Sequence, residues 1–265
     1  MTGEAIRQEA PAIRREHHGA VRVLLLDRPD RRNALDMQMR HELVDRLAEA
    51  EADPEVRVVV LAGAGGTFCA GGDLSTMRRQ PVAESRPRLE AAQRVARALF
   101  DLRLPVVAAV EGHAIGAGLG IAAACDQVVA AADARFAASF LGVGLAADLG
   151  ISWTLPRRIG LARARTMLMT GRSLTGEQAA EWGLADHLVG PGRALEEAIA
   201  LAARLAAGPP LAIAAVKRLL NHPADTADTA LAAELAEQGA LFDTADFAEG
   251  LAAVREKRRP CFTGR

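Results

Sequence analysis

The stretch "LPVVAAVEGHAIGAGLGIAAACDQVVAA" (104–131) decides the fold. "PVVAAVEG" (105–112) is a short apolar, β-branched run with the signature of a buried strand, and "DQVVAA" (126–131) reads the same way. Between them "GAGLGIAAA" opens a short buried helix, because alanine favours helix and its small side chain permits close packing. Strand, glycine-rich turn, helix and strand again make an α/β unit. Towards the N-terminus, "AVRVLLLD" (20–27) and "VRVVVLAG" (56–63) are two further strands. Between those, Asp36 is placed to cap a helix on which Met39, Leu43 and Leu47 recur at a spacing of four. Past about residue 156 the strand signal fades. "LARARTMLMTG", "TGEQAAEWGLA" and "ALEEAIALAARLAAGPP" predict helices ended by glycine, and 210–258 predicts three more, broken near Asn221–Pro223 and Asp243–Thr244. The Arg-, Pro- and Ser-rich segment 75–90 reads as an exposed loop.

Composition narrows the function. The chain has 265 residues, half of them apolar, but only 3% are aromatic and none is tyrosine. That is long enough for a sizeable core, built from Ala, Val, Leu and Ile. Without aromatic faces, and with a formal net charge of −1, base stacking and phosphate-polymer binding are poor expectations, so no nucleic-acid partner is expected. Cys69, Cys125 and Cys261 are far apart and in no CxxC spacing, which reads as reduced thiols in a cytoplasmic protein, with no metal site. Residues 1–20 are polar and charged, so no signal peptide is expected there. The apolar region 104–132 is interrupted by Glu111, His113 and Asp126, so no membrane span is expected.

Two stretches place small residues straight after a strand: "GTFCAGGDL" (66–74) and "GHAIGAGLG" (112–120). Such turns point backbone N–H groups outward with no side chain in the way, and a helix starting there favours negative charge. Neither has the Gly-Lys-Ser/Thr of a phosphate loop, nor does "GAGLG" satisfy GxGxxG. Each alone is compatible with plain tight packing; together, two converging donors can hold an oxyanion.

The order of "LDRPDRRNAL" (26–35), "DPEVRVVVLAGAGGTFCAGGDL" (53–74), "LPVVAAVEGHAIGAGLGIAAACD" (104–126), "TGRSLTGEQAAEWGLADHLV" (170–189) and "FAEGLAAVREKRRPCF" (247–262) resembles the crotonase (enoyl-CoA hydratase/isomerase) superfamily. The resemblance runs from about residue 12 to 262. It implies an α/β fold, a spiral of ββα units over residues 1–195 with the CoA and oxyanion sites, followed by a helical C-terminal trimerisation region over 196–265. It also implies acyl-CoA thioester substrates, no cofactor beyond the coenzyme A of the substrate, and a homotrimer or a hexamer made of two trimers. By the same resemblance, the N–H groups of Ala70 and Ala117 form the oxyanion hole. The "RRNAL" and "AGGDL" segments line the CoA pocket, with Arg28, Arg31 and Arg32 as phosphate candidates alongside Ala34, Gly71, Gly72, Asp73 and Leu74. Three solvated arginines on a turn, and an Asp73 that supports its own loop, are the competing readings.

Hydratases of this family hold a water between two glutamates. Here one of those positions is Gly120, and the other, fourteen residues past Asp126, is Phe140. Neither can hold or deprotonate water, which leaves both residues to shape the acyl pocket. Asp148 is the sole ionisable group between Phe136 and Pro156. "VGLAAD" (143–148) resembles dienoyl-CoA isomerases, and "DLGISWTLP" (148–156) resembles ring-opening and Δ3,Δ2-enoyl-CoA isomerases that rely on one aspartate at this place. Moving a double bond needs one base, which takes a proton from one carbon and returns it two carbons away. Leu145, Leu149, Ile151 and Trp153 are expected to desolvate that carboxylate, with Trp153 lining the acyl pocket. The competing reading makes Asp148 the N-cap of a helix or turn starting at Leu149.

Three other functions are open at this point. Water could add through Asp148 alone; the chain could bind acyl-CoA without turnover; or Asp148 could be the nucleophile of an aryl-CoA dehalogenase, which "GLGI" (118–121) resembles. A dehalogenase needs a histidine base, and His41, His113, His187 and His222 offer no obvious candidate. The preferred expectation is enoyl-CoA isomerisation.

Overall fold

The computed structural model describes residues 11–265. The first ten positions of the 1–195 unit, and half of the polar stretch expected to carry no leader, lie outside the described residues.

The main sheet has six strands in the order β1 (Ile13–His18), β2 (Val21–Leu26), β3 (Val58–Gly63), β4 (Val106–Val110), β6 (Gln127–Ala131) and β9 (His187–Val189). Only β1 runs antiparallel to its neighbour. A smaller layer joins β5 (His113–Ile115), β7 (Arg135–Ala137) and β8 (Ser173–Thr175). The chain repeats one move. A main-sheet strand turns into a short strand of the small layer and then into a helix: β4, β5 and α3 (Ala117–Ala124), then β6, β7 and α4 (Ile151–Ile159). This is the spiral of ββα units expected from the resemblance.

Parallel strands buried on both faces read as continuous apolar runs, and β2, β3 and β4 are buried almost throughout. One face packs α1 (Met37–Ala52) and α2 (Val82–Asp101). The other packs α7 (Ala194–Ala206) through Ala194, Ala198, Ala202 and Ala206, a stripe at helical spacing. The expected 195/196 boundary falls inside α7, so this helix sits with the sheet. The helices α5 (Leu161–Thr170) and α6 (Gly176–Trp182) precede it, and α8 (Pro210–Asn221), α9 (Ala227–Phe242) and α10 (Ala245–Glu256) follow.

Asp36 caps α1, its Oδ1 accepting the Met39 N–H at 2.8 Å. The expectation of a loop over 75–90 is corrected: α2 begins at Val82 and carries Pro87 inside it. Beyond that proline, Ala91, Ala92, Val95, Ala96 and Leu99 are buried at helical spacing, and this stripe outweighs the local breakers. Among the described residues no single helix is long and apolar enough to cross a membrane.

Candidate active site

Two turns come together by backbone pairing. Cys69 donates its N–H to the His113 carbonyl at 2.7 Å, and Ile115 donates back to the Cys69 carbonyl at 3.0 Å. Leu35 donates to the Gly71 carbonyl at 2.7 Å, and Asp73 donates to the Leu35 carbonyl at 3.1 Å. Gly71 has φ +104°, and a Cβ there would lie 2.9 Å from the Ile115 carbonyl oxygen, so only glycine fits this approach. Beside the joined turns lies a cavity of about 390 Å³, whose lining includes Arg40, Gly72, Ala117, Phe140 and Asp148. Ala70, Gly71 and Leu74 also face it.

The donors differ from expectation at one position. Ala70 lines the cavity, but its N–H is bonded to the Arg32 carbonyl at 3.0 Å. The Gly71 N–H meets the Cys69 sulfur at 3.4 Å. Gly72 is different. The pairing of Leu35 uses the Gly71 carbonyl and the Asp73 N–H on either side of it, and leaves the Gly72 N–H with no acceptor among the described residues. Ala117 opens α3, in a position where helix geometry provides no intrahelical acceptor. The free pair at this cavity is therefore Gly72 with Ala117, and Ala70 is a structural donor.

Asp148 is half-buried and is the only carboxylate lining the cavity among the described residues. It is not a helix cap: α4 starts at Ile151 with Gly150 as its N-cap. Its Oδ1 accepts the N–H of Leu149 at 2.7 Å, which leaves Oδ2 without a hydrogen-bond partner among the described residues. Leu149 has φ +54° and Gly150 φ +70°, so a left-handed pair follows the carboxylate directly. Such backbone strain in a β-carbon-bearing residue costs about 1–2 kcal/mol and persists only where packing enforces it. Leu149 is buried against α3: a Cβ on Gly120 would lie 2.8 Å from the Leu149 Cβ. Phe140 lies in the cavity wall, its ring 3.9 Å from the Cβ position of Gly116.

The apolar surround expected for Asp148 is only half present. Leu149 and Ile151 are buried, but Leu145 is 50% exposed. Trp153 does not reach this cavity at all; it lines another one beside Cys125 and Lys217, with the Arg157 guanidinium 3.1 Å from its ring centre. Two residues past the buried Ile151, a little over half a turn, it points to the opposite side of α4.

The remaining sequence candidates divide into clamp and surface. Arg28 is turned inward, Nη1 on the Ala34 carbonyl at 2.6 Å and Asp36 at 3.1 Å, and Nη2 on Asp73 at 3.2 Å. It is not free for a phosphate. Asp73 is buried and also accepts the Ser75 hydroxyl at 2.6 Å; that bond first, and the Arg28 guanidinium after it, hold its carboxyl below the usual range. Arg31 and Arg32 are exposed on the same turn. Burial pushes the Cys69 thiol up to about 12, so it is a packing group and no nucleophile. Sequence reasoning missed Asn33, whose side chain staples this turn to the Ala64 and Thr67 carbonyls at 2.9 and 2.6 Å. It also missed Arg40, a charged side chain 4% exposed on the buried face of α1.

The Enoyl-CoA hydratase/isomerase family profile matches residues 16–265. The chain belongs to that family. It is 41% identical over 257 residues to a Rhodobacter capsulatus protein named as a probable enoyl-CoA hydratase, covering 96% of this chain and 98% of that one. It is 36% identical to the 1,2-epoxyphenylacetyl-CoA isomerase of Escherichia coli, covering 92% and 95% of the two chains. The crystal structure of an enoyl-CoA hydratase from Polaromonas sp. JS666 superposes with a TM-score of 0.90 at 36% identity, covering 94% and 99%. The chain is thus an enzyme of the crotonase superfamily, and its relatives carry both hydratase and isomerase names.

Proposed function

We propose that this family member isomerises the double bond of an enoyl-CoA thioester, with Asp148 carrying the proton. The observation that supports this best is the single carboxylate in the cavity. At Gly120 the space for a side chain is filled by Leu149, and Phe140 supplies a hydrocarbon wall, so no second carboxylate assists. The thioester oxygen accepts from the Gly72 and Ala117 N–H groups. Asp148 Oδ2 then removes a proton from the carbon next to the carbonyl, negative charge moves onto the thioester oxygen, and the proton returns two carbons further along. Preorganised donors aimed at that oxygen are worth about 3–4 kcal/mol each in the transition state.

This reading takes coenzyme A as part of the substrate, with the exposed Arg32, and Arg31 in a loose 3.8 Å surface pair with Asp30, offered to its phosphates, and its proton chemistry requires no metal or redox group. It also includes self-association through α8–α10, where Leu220, Leu231, Leu235, Phe242 and Val254 are exposed, and a cytoplasmic setting for the thiols. The test is mass spectrometry of 3-enoyl-CoA and 2-enoyl-CoA incubated with the protein in D₂O. Conversion of the 3-enoyl ester with deuterium uptake, lost in Asp148→Asn, is expected. Addition of water to the 2-enoyl ester, or isomerisation surviving in the variant, overturns it.

A further inference from the structure

Arg40 projects from α1 into the cavity of Asp148, 4% exposed, and its environment is unusual for a buried cation. Among the described residues no carboxylate lies within 4 Å of it. A guanidinium has five N–H donors, and among the described residues one is used: Nη1 donates to the Arg88 carbonyl at 2.8 Å. That bond ties α1 to α2 and fixes the head in place. Nη2 is turned to the oxyanion turn, 3.6 Å from the Cβ position of Gly72.

A second guanidinium meets the same point. Arg88 Nη2 lies 3.8 Å from that Cβ position, held by the Asp73 carbonyl at 3.2 Å, with Nη1 on the Thr76 hydroxyl at 2.8 Å. Neither of these partners is charged. The cavity and its rim therefore hold two guanidinium groups against one carboxylate, Asp148. Buried charge without a counter-charge is costly, and proteins normally pair it. Asp148 is the carboxylate whose charge acts most strongly on Arg40 and Asp36 the next, but Asp36 pairs with Arg28 at 3.1 Å and Asp73 turns its carboxylate to Arg28 and Ser75, so Asp148 alone faces the two guanidinium groups. The missing anion is best supplied by what enters the cavity.

We propose that the acyl group of the substrate carries a free carboxylate in addition to its thioester, and that Arg40 is the residue that selects it. Arg40 is a binding and specificity residue here, distinct from the oxyanion donors and from the proton carrier. A fork of free N–H groups suits a carboxylate better than a lone hydroxyl or carbonyl oxygen, because two parallel bonds form and the net positive charge is cancelled. The proposal rests on the acyl-CoA reading above.

The experiment separates the two. Titration calorimetry compares unreactive saturated thioesters in pairs of equal carbon number: malonyl- with propionyl-CoA, succinyl- with butyryl-CoA, glutaryl- with valeryl-CoA and adipyl- with hexanoyl-CoA. In the native protein the diacid ester is expected to bind tighter by about 10- to 100-fold at the length that reaches Arg40, the worth of a hydrogen bond to a charged group. The ratio falls to near unity in Arg40→Met and is partly kept in Arg40→Lys, which preserves charge without the fork. Neutral esters binding as tightly as diacid esters at every length overturns the proposal while leaving the acyl-CoA reading intact. So does a preference that persists in Arg40→Met. Absence of binding by every thioester overturns both.

Discussion

Gly120→Ala is a small change with a large expected consequence. The added methyl would sit 2.8 Å from the Leu149 Cβ and 3.6 Å from the Asp148 and Leu149 carbonyl oxygens. Carbon atoms in contact want about 3.5–4.0 Å, so Leu149 must retreat by roughly 1 Å. That atom is the root of a buried side chain and cannot swing aside as a flexible tip would. Leu149 is also held at φ +54° between the Asp148 carboxylate and the start of α4, so its shift carries Asp148 with it. Overpacking of this kind costs about 1–3 kcal/mol of stability. A displacement of about 1 Å at a reacting group costs on the order of 100-fold in rate. Thermal unfolding and steady-state kinetics on the 3-enoyl ester measure the two effects. The variant is expected to melt a few degrees lower, to fold, and to lose kcat far more than KM. Full kcat in a folded Gly120→Ala protein would refute the claim that the contact between α3 and Leu149 positions the carboxylate.

Two further predictions concern the turns. Gly71→Ala meets a backbone carbonyl at 2.9 Å in a left-handed conformation, whereas Gly72→Ala meets the Met77 methyl at 2.9 Å, a tip that can move. Denaturant unfolding should show the first losing about 1–3 kcal/mol and the second within about 0.5 kcal/mol of the parent. Asp73→Asn tests the clamp with Arg28 and Ser75. Because the native carboxyl titrates below its unfolded value of about 3.9, its stabilisation is complete above that pH and is lost as pH falls through the native value. The variant should be about 1–2 kcal/mol less stable at neutral pH, and the gap to the parent should close in acid; a gap constant with pH would contradict the carboxylate's role.

What the sequence made legible was side-chain pattern. The strands β4 and β6, the helix α3 between them, the Asp36 cap and the C-terminal helix breaks all carry local signals and are where they were expected, whereas the three-residue strand β5 lies in the stretch read as a turn. The short strands β8 and β9 have only three residues apiece, too few for a period to show. β1 is an edge strand in which charged residues face water, so Ile13 alone is buried. One of the two proposed oxyanion donors, Gly72 in place of Ala70, lies two residues from its expected position for a different reason. The donors are backbone groups, and whether an N–H is free depends on the register of Leu35 against Gly71 and Asp73, which no side chain announces. Arg40 was passed over because it stands between Met39 and Leu43 on a face defined by its apolar members.

Gly120 and Leu149 also give the proposed one-carboxylate reading its structural basis. With the Cβ positions of these two residues 2.8 Å apart, a glutamate at 120 and a leucine at 149 exclude each other in this backbone. Leu149 fills the place from which a second carboxylate would reach the cavity, and the same leucine donates its N–H to Asp148 Oδ1. One oxygen of Asp148 is thereby fixed and the other is left open. Adding water across a double bond requires a group to hold the water as well as one to move its proton, and a single open oxygen does only the second. Proton transfer between two carbons of a bound enolate needs nothing more. On the proposed isomerase reading, the contact between α3 and Leu149 that leaves no room for a side chain at Gly120 is also the contact that presents Asp148 as the base.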